Sequence, residues 1–263
     1  MGEAIAIKEP TAALFRPQTS DNLLIVGQND EAALALLTAA IVSLAVQQPS
    51  ARFVVLDGTA PHQPHFGYLK AVMDGWPQPM ELPERAGLPP ALGALAEEMN
   101  QRLGGGGERD PRYLLINGLH FYREFRRGDD DLGFGRRGAE RTVSPLEHLQ
   151  ALLRDGPGVG IHVLIWCDSL VNVLRSLDRP GLRECGQRVL FQMSAADSSH
   201  LLDSPLASRL GRNRALYYSD ETGQPEKFRP YGLPSLAWIT EVKRRRPVAV
   251  APPLPAPPVG NVR

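Results

Sequence analysis

Short apolar runs alternate with longer amphipathic stretches along most of the chain. The run Asn22–Gly27 is apolar at its centre and ends in glycine, and the apolar residues from Asp30 to Gln48 recur at helical spacing. The same alternation predicts further strands at Arg52–Asp57, Tyr113–Asn117, His162–Cys167, Arg188–Gln192, Ala215–Ser219 and Glu226–Tyr231, and helices at Pro90–Arg102 and Pro145–Arg154. Because buried strands separated by helices pair in parallel, the pattern predicts an α/β fold with a mostly parallel sheet flanked by helices.

The same pattern divides the chain into three parts. We predict a lead-in at residues 1–21, one folded domain at 22–246 and a tail at 247–263. The tail has six prolines among its 17 residues and few side chains that could pack, which is typical of an extended polyproline-like segment. Within the domain, Arg126 to Arg141 mixes Arg, Asp and Gly with few apolar residues, so we expect a loop there.

Composition narrows the classes of function. The 29 basic and 29 acidic side chains balance, so no overall charge attracts nucleic acid or an anionic membrane. We see no apolar run long enough to span a bilayer and no signal peptide, and we expect a cytoplasmic domain without membrane contact. Cys167 and Cys185 each lie in or beside an apolar run, which favours buried, reduced thiols. His62 and His65 lie in a proline-rich segment without a cluster of other ligands, so the sequence predicts no metal site.

The first predicted strand and helix have the arrangement of a phosphate-binding loop. In the pattern G-x-x-x-x-G-K-[ST], backbone amides cradle phosphates, the Lys neutralises their charge and the hydroxyl binds magnesium. Here the eight positions are Gly27, Gln28, Asn29, Asp30, Glu31, Ala32, Ala33 and Leu34. Ala32 replaces the second glycine, Ala33 the lysine and Leu34 the hydroxyl residue, so the groups that handle charge are missing.

Two other features weaken phosphate binding further. Asp30 and Glu31 place carboxylates at the positive end of the helix dipole, where they would repel a triphosphate. A second motif is expected at the end of a neighbouring strand, where an Asp holds magnesium and a Glu positions water. The strand ends instead in Asn117 and Gly118, which supply neither a good magnesium ligand nor a base. The arrangement of Gly27 to Leu34 is also what an ordinary capped helix after a strand would give, without any relation to a phosphate loop.

The second half of the chain carries a more specific likeness. The segment 160–166, with Gly160, Ile161 and His162 before an apolar run, resembles the G-I-H strand of the FtsK/SpoIIIE family of translocases. A later block of that family resembles the segments 188–194, 197–198, 201–203 and 210–212, in the same order. The resemblance extends from about Asn22 to Tyr231. It implies a RecA-like P-loop NTPase fold, which in active relatives binds ATP and magnesium and moves DNA or protein.

The resemblance also assigns roles that this sequence does not keep. Asp168 stands where the family usually has a Gln that senses the γ-phosphate, and Ser199 where an Arg is usual. Type VII secretion motors join several such domains on one chain, and their later domains are often degenerate and act in regulation or substrate recognition. The resemblance therefore implies a pseudo-ATPase domain, with no cofactor of its own, of a larger translocase that can be associated with a membrane.

The expected partners follow from this hypothesis, and two alternatives remain open. We expect contacts with neighbouring motor domains and with a substrate peptide bound where active relatives hold nucleotide. The first alternative is a motor domain of a DNA translocase that still binds ATP. The second is a DNA-binding module that uses the basic segment Lys243, Arg244, Arg245 and Arg246, to which Arg123, Arg126, Arg127, Arg136, Arg137 and Arg141 could add. Because we expect these charges in flexible loops, we predict at most weak binding of DNA.

Overall fold

Nine strands form one sheet in the computed structural model, which describes residues 1–5, 9–127 and 143–245. The strands are β1 Gly2–Ala4, β2 Leu23–Val26, β3 Arg52–Asp57, β4 Met80–Glu81, β5 Arg112–Asn117, β6 Ile161–Cys167, β7 Gln187–Leu190, β8 Ala215–Ser219 and β9 Glu226–Pro230. Their order across the sheet is β1-β9-β8-β7-β2-β6-β5-β3-β4. The six strands from β7 to β4 are parallel, and β8, β9 and β1 extend the sheet in antiparallel pairs.

Helices cover both faces of this sheet. They are α1 Asp30–Gln47, α2 Tyr68–Met73, α3 Leu88–Leu103, α4 Pro145–Asp155, α5 Leu170–Leu174, α6 Arg179–Arg183, α7 Ala195–Leu202 and α8 Leu236–Arg245. Side chains along a strand point to alternate faces, so on β6 Val163 and Ile165 join one hydrophobic core while Leu164 and Trp166 join the other. Helices α1, α2 and α8 contribute to the core on the Trp166 face, and α3 to α7 contribute to the opposite core.

Local sequence explains where the main helices begin. Asn29 caps α1, and its side chain accepts a hydrogen bond from the Ala32 amide. At α4, Ser144 and Glu147 bond each other's backbone amides in a capping box, and Pro145 occupies the first helical position. Both helices therefore begin where the sequence predicts them.

The predicted α/β architecture is confirmed. Five of the predicted strands are neighbours in one sheet, in the order β7-β2-β6-β5-β3. Helix α1 buries Leu36, Leu37, Ile41 and Leu44, as expected from their spacing, and Ala40 is half-buried. Cys167 and Cys185 are free and buried. The sequence analysis missed the short elements β1, β4, α2 and α5 to α8.

Three expectations need correction or fall outside the described residues. The lead-in contributes β1 to the sheet, where an added Cβ on Gly2 would lie 2.1 Å from the Arg229 carbonyl oxygen. Helix α1 is 18 residues long and apolar enough to span a bilayer by length and composition, contrary to our expectation, but its packing on the sheet explains its apolar character. Residues 128–142 and 246–263, which include most of the predicted Arg126–Arg141 loop and the proline-rich tail, lie outside the described residues.

Candidate functional site

The turn between β2 and α1 is short, and the backbone groups of Gly27 and Asn29 are bonded within the protein. Only Gly27, Gln28 and Asn29 separate the strand from the helix. The Gly27 amide donates to the Cys167 carbonyl oxygen at 3.1 Å, and the Gly27 carbonyl accepts from Trp166 Nε1 at 3.2 Å. Gly27 has φ +134°, and a Cβ there would lie 2.7 Å from Phe191 Cβ, so this position requires glycine.

The positions that correspond to the glycine, lysine and hydroxyl of a phosphate loop lie inside the first two turns of α1. The amides of Ala32 and Ala33 both donate to Asn29, to its side-chain oxygen and its carbonyl oxygen respectively. Ala33 is 0% exposed and Leu34 is 3% exposed, and both belong to the hydrophobic core. In contrast, Asp30 and Glu31 in the same turn are exposed. This helix end thus presents two carboxylates to solvent and directs the other two side chains inward.

The end of β5 forms a polar cluster with the end of β3. Asn117 is 3% exposed, and its Nδ2 donates to Asp57 Oδ1 at 2.9 Å and to Thr59 Oγ1 at 3.1 Å. The amide and hydroxyl of Thr59 also donate to Asp57 Oδ1. Asn117 Oδ1 is buried and has no hydrogen-bond partner among the described residues. Gly118, with φ +85°, makes the turn that follows, and a Cβ there would lie 2.4 Å from the Phe121 ring.

A second polar cluster lies at the end of β6, one strand away. Asp168 Oδ1 accepts hydrogen bonds from Asn172 Nδ2 at 2.8 Å and from Ser169 Oγ at 3.0 Å, and His120 Nδ1 lies 3.7 Å from it. Burial opposes ionisation of Asp168, but these hydrogen bonds and the nearby His120 together lower its pKa. Burial lowers the pKa of His120 and raises that of Cys167 to about 12, so both side chains are neutral at pH 7.

The structure brings most of the predicted site residues to one edge of the sheet, because parallel strands place their carboxyl ends together. A cavity of about 140 Å³ is lined by Asp30, Leu34, Asn117, Trp166, Thr59, Gln63, Pro64, His65 and Phe121, and none of these described residues is a Lys or Arg. Asp168 is not among them, although it contacts His120, whose pKa also responds to Asp30. A second cavity, of about 270 Å³, adjoins the other side of the turn and is lined by Asn29, Glu31, Ala32, Asn213, Arg214 and residues 229–233.

Sequence reasoning missed four side chains that shape this edge. They are Asp57, Thr59, His120 and Trp166. Asp57 carried a usable signal, since it ends a predicted strand parallel to the one that ends in Asn117. His120 carried none, because only the turn after Gly118 returns it toward β6, where its ring packs edge-on against Trp166.

The basic segment near the end of the chain is helical in its described part. Lys243, Arg244 and Arg245 lie in α8, which corrects our expectation of a flexible loop, while Arg246 lies outside the described residues. Lys243 donates to the Asp74 carbonyl oxygen and lies over the Trp76 ring, and both arginines pair with Glu241. Arg136, Arg137 and Arg141 also fall outside the described residues. The charges of Arg244 and Arg245 are thus partly neutralised by a carboxylate of their own helix.

Comparison with solved structures identifies the fold. The structure of the pCW3 conjugation coupling protein TcpA, with ATPγS, superposes with a TM-score of 0.59 and 14% identity over 84% of this chain. The genome packaging NTPase B204 of Sulfolobus turreted icosahedral virus 2 gives 0.52 and 9% over 82%. Thermomonospora curvata EccC (ATPases 2 and 3), solved with a signal sequence peptide, gives 0.54 and 13% over 87%. The chain has the RecA-like fold of P-loop motor ATPases.

These likenesses confirm the resemblance to FtsK/SpoIIIE-type domains at the level of the fold. The chain spans 64% of the TcpA chain and 42% of the EccC chain, and the whole of B204. No protein-family model and no curated protein sequence matches it. At identities of 9 to 14%, the shared property is the fold, and the chemistry must be argued from the site itself.

Proposed function

We propose that this chain is a non-hydrolysing ATPase-fold module of a larger translocase, which acts through contacts with neighbouring motor domains or a substrate peptide. In this proposal the β2–α1 turn and the end of β5 are vestiges of a nucleotide site. Residues 1–21 lead into the module and contribute β1 to its sheet, residues 22–246 form the rest of it, and 247–263 follow it as a tail. We place the module in the cytoplasm, the setting of the secretion ATPase domain of EccC to which it is similar.

The burial of Ala33 and Leu34 carries the proposal. A phosphate loop needs an ammonium and a hydroxyl that face the ligand, and here the two corresponding side chains are apolar and lie in the core. The exposed groups of the same turn are the carboxylates of Asp30 and Glu31, which repel a triphosphate. Losing a charged contact in a partly desolvated site typically costs about 2 to 5 kcal/mol, so these changes together exceed what stacking of the adenine could restore.

The end of β5 does not fit magnesium either. Asn117 uses its amide nitrogen on Asp57 and Thr59, which leaves one neutral, buried amide oxygen. Magnesium prefers carboxylates, phosphate oxygens and water in octahedral geometry, so a single amide oxygen is a poor anchor. Gly118 has no side chain to orient a water for attack. We therefore assign no step of ATP hydrolysis to this chain.

The surface beside the β2–α1 turn is better suited to binding a peptide or another protein. The EccC structure similar to this chain contains a signal sequence peptide, and its chain holds more than one ATPase domain. Beside the β2–α1 turn, the 270 Å³ cavity combines the apolar Leu233 and the half-exposed Tyr231 with Arg214 and Arg229. Apolar and aromatic side chains with flanking charges are suited to a peptide or a neighbouring domain.

Calorimetry with ATP and magnesium tests the proposal directly. We expect no binding at physiological ATP concentrations and no phosphate release, because neither the turn nor the end of β5 offers a positive charge. A dissociation constant in the micromolar range would refute the proposal and favour the ATP-binding motor.

A pair of matched variants tests whether the phosphate frame, meaning the backbone shape of the β2–α1 turn, can still bind phosphate when the lost residues are restored. The first combines Ala32→Gly, Ala33→Lys, Leu34→Thr and Asn117→Asp, and the second is identical except for Ala33→Met. The two side chains at position 33 are similar in length, so only the ammonium differs. Recovery of ATP binding by the lysine variant alone would mean that the frame is intact. Absence of binding in both, with folding verified by circular dichroism, would mean that the turn itself has changed shape.

A further inference from the structure

Three side chains of different chemistry converge at the carboxyl edge of the sheet, beside the proposed vestigial site. His120 follows β5, Cys167 ends β6 and Asp168 comes directly after it. An imidazole nitrogen, a sulfur and a carboxylate oxygen from these residues all lie within 4.8 Å of one another. Among the described residues this is the one such group of potential metal ligands that includes a thiol and an imidazole. The proposed function uses none of these three side chains for binding.

We propose that His120, Cys167 and Asp168 bind a zinc ion at this edge. Sulfur, imidazole and carboxylate ligands together are typical of zinc, whereas magnesium and calcium take oxygen ligands. Three protein ligands leave the fourth tetrahedral position for a water molecule. A zinc ion with one thiolate and one carboxylate is also neutral overall, which limits the electrostatic cost of a partly buried site.

Two of the three ligand separations already approach those of a tetrahedral zinc site. Ordinary zinc–ligand bond lengths give ligand separations of about 3.4 Å for nitrogen and oxygen and about 3.6 Å for sulfur and oxygen. His120 Nδ1 lies 3.7 Å from Asp168 Oδ1, and Cys167 Sγ lies 3.8 Å from the same oxygen. Both separations shorten by only a few tenths of an ångström when the ion enters, which small side-chain rotations can supply.

The surrounding contacts hold two of the ligands in place. Asn172 and Ser169 donate to Asp168 Oδ1, and Ser169 is itself fixed as the cap of α5. The His120 ring packs edge-on against Trp166, with ring centroids 5.4 Å apart. Groups that contact the ligands rather than the metal itself orient those ligands and raise metal affinity. The Asp168 amide donates to His120 Nδ1 at 3.4 Å, a long and weak hydrogen bond that the zinc ion would replace.

The site is open on one side, so an ion can reach it. The side chains of His120 and Asp168 are 12% and 28% exposed, whereas Cys167 is buried beneath them. Binding replaces the S–H bond of Cys167 with a Zn–S bond and releases its proton to solvent. The ion would then join the ends of β5 and β6 at the edge where this fold brings its strand ends together.

Zinc titration of the whole chain, with competition by a chromophoric chelator, tests the proposal. We expect one zinc ion per chain and a rise in the melting temperature. Cys167→Ser and Asp168→Asn each change a metal ligand, so each should weaken zinc binding by more than about 10- to 100-fold, the loss typical when only a residue that contacts a ligand is changed. Asp168→Asn keeps the shape of the side chain and is partly exposed, so it remains informative if Cys167→Ser fails to fold.

Cys185→Ser is the matched control, because Cys185 is also buried and free but lies outside the cluster. It should bind zinc as the parent chain does. Cobalt gives a second readout, since a thiolate ligand produces an intense near-ultraviolet charge-transfer band. We expect that band in the parent and in Cys185→Ser but not in Cys167→Ser. Failure to bind one zinc ion, or binding unchanged by Asp168→Asn and Cys167→Ser, would overturn the proposal. The calorimetric test of ATP binding does not depend on these zinc experiments, so the zinc proposal and the proposed function can fail separately.

Discussion

Asn22 connects three parts of the fold, and its removal should be among the most damaging single changes. The residue is 0% exposed and lies just before the central strand β2. Its Nδ2 donates to the carbonyl oxygens of Leu153 at 2.8 Å and Glu184 at 2.7 Å, near the ends of α4 and α6. Its Oδ1 accepts from the Val163 amide of β6 at 2.8 Å. The side chain thus satisfies backbone groups of two helices and a strand.

Asn22→Ala leaves three backbone groups without this partner, two in buried hydrogen bonds and one in a partly buried one. Each unsatisfied group costs about 1 to 3 kcal/mol, and water entering the space would recover part of that, so we expect a loss of about 3 to 6 kcal/mol. Natural domains are stable by only about 5 to 15 kcal/mol, so the variant should be close to unfolding. Urea denaturation followed by circular dichroism measures the loss.

Two further variants make this prediction specific. Asn22→Asp keeps the oxygen that faces Val163 but sets a carboxylate against two carbonyl oxygens, so it should lose at least as much stability as alanine. Asn100→Ala, on the exposed side of α3, should change stability by no more than about 0.5 kcal/mol. A loss below about 1 kcal/mol for Asn22→Ala, with the parent fully folded, would show that the hydrogen-bond argument is wrong.

Two other predictions concern charge. Duplex DNA should bind weakly in a fluorescence titration and dissociate at moderate salt. Glu241→Gln should tighten DNA binding a few-fold, because it frees Arg244 and Arg245 from their ion pairs. Tight, salt-resistant binding would instead favour a DNA-binding module. Burial lowers the pKa of His162 below its ordinary value of 6.5, so the unfolded chain takes up this proton first and stability falls as pH drops below about 6.5. His162→Gln should reduce the slope of unfolding free energy against pH by up to about 1.4 kcal/mol per pH unit. An unchanged slope in urea titrations would show that His162 does not cause the loss of stability at low pH.

The sequence by itself determined the central architecture. Buried parallel strands are continuous apolar runs, so β2, β3, β5 and β6 could be placed within a residue or so of their ends, and the antiparallel strand β8 was placed equally well. Helix α1 was equally clear, because the acidic residues Asp30 and Glu31 precede a long stretch of apolar residues at helical spacing. Strands of two or three residues and helices of five or six, such as β4 and α6, carry too few periodic positions to be detected.

The candidate site divides in the same way. The substitutions at Ala33, Leu34 and Asn117 were visible in the sequence, because a phosphate loop is contiguous and its spacing is fixed. Only the tertiary structure decided that Ala33 and Leu34 face the core and that Asp57 and Asn117 share hydrogen bonds. These depend on how α1 is rotated on the sheet and on which strands are neighbours.

Distance along the chain explains what the sequence could not determine. Asn22 and Val163 are 141 residues apart, and His120 and Asp168 are 48 apart, yet each pair is in contact. Such contacts exist because parallel crossovers bring distant strand ends to one edge of the sheet, and no local pattern of residues encodes them. The sequence therefore determined seven of the nine described strands, the first helix and the missing charges. Packing decided which polar side chains meet.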